Sequence, residues 1–531
     1  MRDLELPGRS PVHAPNAMAS TSHPLSTQAA IRILMAGGNA MDAAIAACAV
    51  QCVVEPGSTG IGGDNFCLYA PQGGAEIIAF NGSGKAPKAA NAAWYRERGY
   101  TEIPRDVHAV TVPGAVDAWC RLHADHGKLP LAEVLAPAIG YARDGFPISS
   151  RVHRDFAAEF DLISAEQSTA DAYLIDGAVP AIGARLALPE LAATLQKIAE
   201  NGRDGFYAGD VADDMVSYLQ SKGGLHTAED FAAVKGDYVT PISAEYRDMT
   251  VWECPPNGQG VIALLLMKAM SRIRADLGKG PITADRIHYE IEACRMAYRA
   301  RNLYLADPAF ADVPVEALLS DAYAQSIVDA IDPARAGDPP KDIALPKHKD
   351  TVYITVVDSD RNACSFINTL FYGFGSGLTA PKSGVLLQNR GMGFTLEDGH
   401  PNVIEGGKRP LHTIIPGMAT KDGKAVLSFG VMGGHYQAMG QAQFMSRHFD
   451  YGLDIQESMD APRFMPDPFN GEVEMEATVP DAIQQDLRAR GHRLVKPRAP
   501  VGGSQAIEID WQRNLLTAGS DPRKDGCAIG Y

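Results

Sequence analysis

Apolar residues recur every three to four positions over residues 26–35 and again over 40–53, with Gly37-Gly38 between the two runs. That period predicts two helices, and their Ala and Ile content suits close packing of one on the other. Residues 66–69 and 76–80 are instead short β-rich runs on either side of Pro71-Gln72-Gly73-Gly74, the pattern of a hairpin. The longest predicted helix runs over 283–305. Thr283 is its cap, Ile287, Ile291, Cys294, Tyr298 and Leu305 form one stripe, and Asp307-Pro308 is its stop. Periodicity dissolves over 334–349, where Pro339, Pro340 and Pro346 sit among Arg335, Lys341, Lys347 and Lys349, so this segment reads as an exposed connector. Three further hairpins are predicted beyond it: 352–357 with 364–370, 417–420 with 425–429, and 506–509 with 515–518. Hairpins with long helices between them predict antiparallel sheets covered by helices, not a doubly wound parallel sheet.

Composition narrows function more than fold. The 531 residues carry 64 Asp plus Glu against 48 Lys plus Arg, a formal charge of −16. Such an excess repels phosphate backbones and anionic lipid surfaces, so neither nucleic acid nor a membrane is expected as a partner. Length by itself suggests roughly three domains of about 150 residues, unless one large architecture takes the whole chain. Residues 1–20 have no apolar run behind their basic residues, and the apolar stretch 43–54 is too short to span a bilayer. A cytoplasmic protein is therefore expected. The eight Cys are scattered without a CxxC pair, which favours reduced, buried thiols over disulfides or a zinc site.

Several apparent motifs fail on a required residue. Gly82-Ser83-Gly84-Lys85 has Ala86 where a phosphate loop needs Ser or Thr, and Ala79 in place of the first Gly. Asp358-x-Asp360-x-Asn362 has Ala363 and Thr369 where a calcium loop needs its turn Gly and bidentate Glu. His123 and His126 share a helix face without a third ligand, and no metal or other cofactor is expected. The junction His348-Lys349-Asp350-Thr351-Val352-Tyr353 has two readings. Thr is common at strand starts, which accounts for Thr351 without any chemistry. Alternatively, cleavage after Asp350 frees the α-amine of Thr351, whose reference pKa of about 7.7–8.0 makes it a base for the residue's own hydroxyl near neutral pH. Donors for a tetrahedral oxyanion would come from Gly433 and Gly434, which end a predicted strand and open a helix, although a Gly pair there also serves as an ordinary tight turn.

Gly37-Gly38-Asn39-Ala40-Met41-Asp42-Ala43-Ala44, Val54-Glu55-Pro56 and Gly60-Ile61-Gly62-Gly63 resemble the N-terminal motifs of the γ-glutamyltranspeptidase family of N-terminal nucleophile hydrolases. The likeness continues in order through Pro113-Gly114-Ala115-Val116 and Pro255-Pro256-Asn257-Gly258-Gln259-Gly260. Past the junction it resumes in Lys408-Arg409-Pro410-Leu411, Asp460-Ala461-Pro462-Arg463 and Gly519-Ser520-Asp521-Pro522-Arg523, so it covers nearly the whole chain. The resemblance implies an α+β fold, a four-layer αββα sandwich with two stacked antiparallel sheets. It also implies self-cleavage between Asp350 and Thr351, giving a large subunit 1–350 and a small subunit 351–531 that together form one unit. Thr351 would then be the nucleophile, Thr369 its hydrogen-bond partner, and Gly433 and Gly434 the oxyanion hole. The number of heterodimers per particle is left open, a dimer of heterodimers being one arrangement.

The departures from the family pattern concern the substrate. Members that hold a γ-glutamyl group use an Arg in a Phe-Arg-Glu motif for its α-carboxylate, whereas this chain has Phe80-Asn81-Gly82. Phe371 replaces an Asn, Gly393 an Asp that would meet the α-amine, and His412-Thr413 a pair of Ser. Leaving a glutamate zwitterion unpaired in such a pocket costs on the order of several kcal/mol. The segments around Asn81, Phe371, Arg390 and His412-Thr413 instead resemble the branch that contains oxamate amidohydrolases and glutathione-hydrolase-like bacterial proteins. Arg390 is the first candidate to grip a substrate carboxylate, weighed against an ordinary surface Arg, and Lys85 is the second. Asn81, Phe371, His412 and Thr413 complete the expected substrate site. Residues 394–408 are fewer than in lid-bearing members, so a more open approach to Thr351 is expected. The expected activity is hydrolysis of a small amide such as oxamate through an acyl-enzyme. The alternatives are γ-glutamyl hydrolysis or transfer with a rebuilt pocket, and a catalytically silent binding protein, the last disfavoured by the intact Thr351, Thr369 and Gly433-Gly434.

Overall fold

The computed structural model describes residues 8–273, 279–338 and 351–531. Two seven-stranded sheets lie at its centre. The first runs in the order Cys527–Gly530, Met18–Thr21, Val352–Val357, Ala363–Thr369, Asp64–Ala70, Ile78–Gly82 and Asp237–Val239. The second runs Val12–Ala14, Leu515–Ser520, Gly503–Asp510, Lys424–Met432, Gly417–Lys421, Met249–Glu253 and Ile242–Tyr246. Neighbours within both sheets are antiparallel, and the four predicted hairpins are all present.

Strand alternation explains why there are four layers. On Val352–Val357, Ile354 and Val356 join a core shared with the helices Pro24–Met35, Ala40–Val54, Ala115–His126 and Leu131–Asp144. Tyr353 and Val357 point the other way, into a core with Phe66 and Ile367 of the same sheet and Met418, Met432 and Ile507 of the second. A period of two thus divides one strand between two cores. The outer face of the second sheet, with Val251, Leu427 and Phe429, packs on the helices Gly260–Met270, Ala284–Tyr304 and Tyr436–Phe449. The order is helix, sheet, sheet, helix, as the αββα expectation requires.

Local signals act as the pattern predicts. Thr283 caps Ala284–Tyr304 by accepting from Arg286 N–H, and Asn39 with Asp42 forms a capping box at Ala40–Val54, every residue of which is buried. The Asp-x-Asp-x-Asn segment is a hairpin turn. One Asp358 oxygen accepts the N–H groups of Asp360 and Asn362, and the other accepts Ala40 N–H at 2.8 Å, tying the turn to the start of that buried helix. The eight Cys are free thiols. Among the described residues no helix is long and apolar enough to cross a membrane. Most of the predicted connector, from residue 339, and the predicted cleavage residue Asp350 lie outside the described residues.

Candidate active site

Val352 pairs with Asn368, so Thr351 and Thr369 are the next cross-strand neighbours, on the face between the sheets that Tyr353 and Ile367 share. Their hydroxyls lie 3.2 Å apart and are buried. Thr369 Oγ1 also accepts Phe371 N–H at 2.9 Å. From the second sheet, Lys424–Met432 runs out at Gly433-Gly434, and the helix Tyr436–Phe449 begins. Both glycines have positive φ, 121° and 56°, and a Cβ on Gly433 would stand 2.9 Å from Gly502 Cα. Only glycine suits this turn. The carbonyls of Gly433 and Gly434 accept from Tyr436 N–H and Gln437 N–H, while the glycine N–H groups stand ahead of the first helical turn, where partial positive charge gathers. Gln437, within that turn, places Nε2 3.4 Å from Thr351 Oγ1.

On the other side of the Thr369 strand lies Asp64, directly across from Thr369 in the ladder. One of its oxygens accepts Gly84 N–H at 2.8 Å and Gln388 Nε2 at 2.9 Å, and the other accepts His412 Nε2 at 3.0 Å. His412 Nδ1 accepts Ile414 N–H, so Nε2 carries the hydrogen. Burial, helped by Arg390 and opposed by Asp64, pushes the His412 pKa down to about 4, leaving a neutral imidazole at pH 7. Arg390 is wholly buried, with its guanidinium 3.7 Å from the centre of the Phe371 ring and Nη1 donating to Thr413 Oγ1 at 3.2 Å. Its Nε and Nη2 have no hydrogen-bond partner among the described residues. Burial draws its pKa down to about 9, and Asp64 and Tyr372 oppose the shift. The surface reading of Arg390 is thereby overturned: it is a buried cation with one edge free, linked to Thr351 through Phe371 and Thr369.

Residues 26–531 match the family model described as gamma-glutamyltranspeptidase. The chain belongs to the γ-glutamyltranspeptidase family. It is accordingly a hydrolase of amide C–N bonds with the N-terminal nucleophile hydrolase fold. A glutathione hydrolase-like YwrD proenzyme from Bacillus subtilis is 37% identical over 97% of this chain and 98% of its own length. An oxamate amidohydrolase proenzyme from Klebsiella pneumoniae is 32% identical over 97% and 98%. Among solved structures, a cephalosporin acylase from Bacillus halodurans has a TM-score of 0.93 at 38% identity, over 100% of this chain and 99% of that one.

Within this γ-glutamyltranspeptidase-family site, not every expected residue converges. Asn81 is buried and braces the site, its Nδ2 donating to Asn257 Oδ1 and its Oδ1 accepting Ser83 N–H. Lys85 is exposed. It borders a separate cavity of about 150 Å³ with Gly82, Gly114 and Asp230, which includes none of Thr351, Thr369, Arg390 or Thr413. Lys85 thus faces this cavity, in the turn that follows Gly84, whose N–H is fastened to Asp64. Gly393 stands where a Cβ would lie 2.7 Å from Leu411 O, which leaves no room for an acid. Sequence reasoning missed Asp64 and Gln437. Asp64 directly follows the Gly60–Gly63 motif, a signal that was available, whereas Gln437 carried none. His288, Glu292 and His492 could hold a metal by proximity alone. However, Arg295 donates to Glu292 at 2.7 Å, and burial together with Arg295 pulls the His492 pKa to about 3, a cationic field that opposes a divalent ion.

Proposed function

We propose that this chain is a self-processing threonine amidohydrolase acting on a small amide whose acyl group carries a carboxylate, with oxamate as the type. In processing, Thr351 Oγ1 adds to the Asp350 carbonyl and the C–N bond breaks, leaving an ester and a free α-amine; water then opens the ester, giving subunits 1–350 and 351–531. In turnover the α-amine takes the hydroxyl proton as Oγ1 adds to the substrate amide, and Gly433 and Gly434 N–H groups hold the oxyanion. The amine returns the proton to the leaving nitrogen, ammonia departs, and water hydrolyses the acyl ester.

The observation that carries the substrate class is the free edge of Arg390. Nε and Nη2 are the two nitrogens that present parallel N–H groups, and a carboxylate on the acyl carbon would accept both. Phe371 and Thr413 fix the plane of that edge. The oxamate amidohydrolase among the relatives supports this reading. The glutathione hydrolase-like relative supports a γ-glutamyl substrate instead, but such a group brings an ammonium, and the nearby acid, Asp64, already serves Gly84, Gln388 and His412. A substrate panel with N-terminal sequencing tests the proposal. We expect a new terminus at Thr351, a Thr351→Ala chain that stays whole and inactive, and a higher kcat/KM for oxamate than for γ-glutamyl-p-nitroanilide. A preference for the γ-glutamyl compound would overturn the substrate assignment, and an active, uncut chain would overturn the nucleophile.

A further inference from the structure

Gln437 is wholly buried in the first turn of Tyr436–Phe449, three residues beyond Gly434. Its amide has a defined sense. Ile415 N–H can only donate, and it meets Gln437 Oε1 at 3.1 Å, so the end facing Thr351 Oγ1 is the donor Nε2. One turn further on, Gln441 Nε2 donates to Ile415 O at 2.8 Å. The two glutamines, four residues apart on one helix face, grip residue 415 by its N–H and its carbonyl. The segment they hold also carries His412 and Thr413, the latter bonded to Arg390. The head of this helix thus connects the glycine turn, the nucleophile and the Arg390 subsite.

We infer that Gln437 is a positioning residue for the nucleophile, its Nε2–H orienting Thr351 Oγ1 and stabilising that oxygen as its proton leaves. The inference rests on the reading of Thr351 as nucleophile. A hydroxyl oxygen has two lone pairs; once its proton has passed to the α-amine it has three. One accepts from Gln437, one accepts from Thr369, and the third forms the bond to the carbonyl carbon. Hydrogen bonds to an oxygen bearing charge are shorter and stronger than those to a neutral hydroxyl. The 3.4 Å contact is therefore the ground-state form of one that tightens as the reaction proceeds. An interaction stronger in the transition state than in the ground state acts on kcat and leaves KM alone.

A purely structural role, holding Ile415, makes a different prediction, and Gln437→Glu separates the two. Glutamate keeps an acceptor for Ile415 N–H, but when ionised it offers no donor to Thr351. Expected for Q437E is an unchanged thermal midpoint, self-cleavage slowed at pH 8, and kcat of the cleaved enzyme lower by about tenfold to a hundredfold with KM within about twofold. Because the α-amine base loses activity in both proteins as the pH falls, the signature is the ratio: the kcat deficit of Q437E against wild type should shrink towards lower pH, where the carboxyl regains its proton. Wild-type cleavage, kcat and pH profile in Q437E would overturn the inference. Should Q437E lower the thermal midpoint, Gln437→Met supplies the reading: a loss confined to kcat supports the inference, and a loss confined to stability overturns it. Activity in Thr351→Ala would instead refute the nucleophile assignment on which the inference rests.

Discussion

A buried cation with two unpaired nitrogens, Arg390, is the most informative residue at this site. Arg390 keeps its charge at pH 7 because its pKa, though drawn down by burial, still stands at about 9. At neutral pH the folded protein therefore carries the full cost of that burial. Because the folded pKa is below the unfolded one, the unfolded chain binds more protons above pH 9, and the penalty is relieved only as pH rises from there towards the usual Arg range. Replacing a buried ion pair by apolar side chains of similar volume is often neutral or stabilising by about 1–4 kcal/mol, and Arg390, with no carboxylate bonded to it among the described residues, has less attraction to lose than such a pair. Arg390→Met is accordingly expected to raise the thermal midpoint of the unliganded protein while raising KM for oxamate at least tenfold, with a neutral amide such as oxamide less affected. Oxalate, the product under the proposed activity, should raise the wild-type midpoint and leave that of R390M where it is. Thermal scans with and without oxalate would check both, and a lower midpoint in R390M would mean that the Thr413 bond and the Phe371 stack outweigh desolvation. The residue's name was legible in the sequence, but its burial was not, since Arg is seldom fully buried and no local pattern marks the exception.

At the scale of elements, the hairpin that begins at Thr351 is anchored at its far end. Asp358 closes the turn and also accepts Ala40 N–H, at the head of a helix with every residue buried. Asp358→Ala removes a turn acceptor and a helix-start acceptor together, so a loss of about 1–2 kcal/mol is expected in chemical denaturation. Because Thr351 stands at the opposite end of the strand, kcat of the folded, cleaved variant should stay within about twofold of wild type. A large loss of kcat at unchanged stability would show that the turn communicates along the strand. These elements were readable from alternation, caps and turn residues, which are local. What alternation left open was which strand each would pair with. Asp64 lies across from Thr369 although it stands 305 positions earlier in the chain, and this pairing brings the missed carboxylate to the site.

Among the described residues, burial pushes the pKa values of His226 and His412 down to about 4 and that of His492 to about 3, and it lowers that of buried His23 as well. Each is neutral when folded at pH 7. The unfolded chain gains protons first as pH falls through 6.5, so the stability they contribute is complete above that value and is lost progressively towards pH 4 and below. Calorimetry across pH 8 to 4 should therefore show a flat upper limb and a midpoint that falls steeply below about pH 6. A His412→Asn variant should fall less steeply than the wild type, and equal slopes would assign the acid lability to other groups.

The sequence by itself determined the helices over 26–53 and 283–305 and the four hairpins, because period, capping and turn chemistry are written in neighbouring residues, and its ordered family motifs implied the αββα class and singled out Thr351. Only the tertiary structure decided which charges are buried and which partners they meet. It placed Arg390 under Phe371 with one edge free, left Lys85 outside, and brought in Asp64 and Gln437, since pairing across two sheets sets distances that no spacing along the chain encodes.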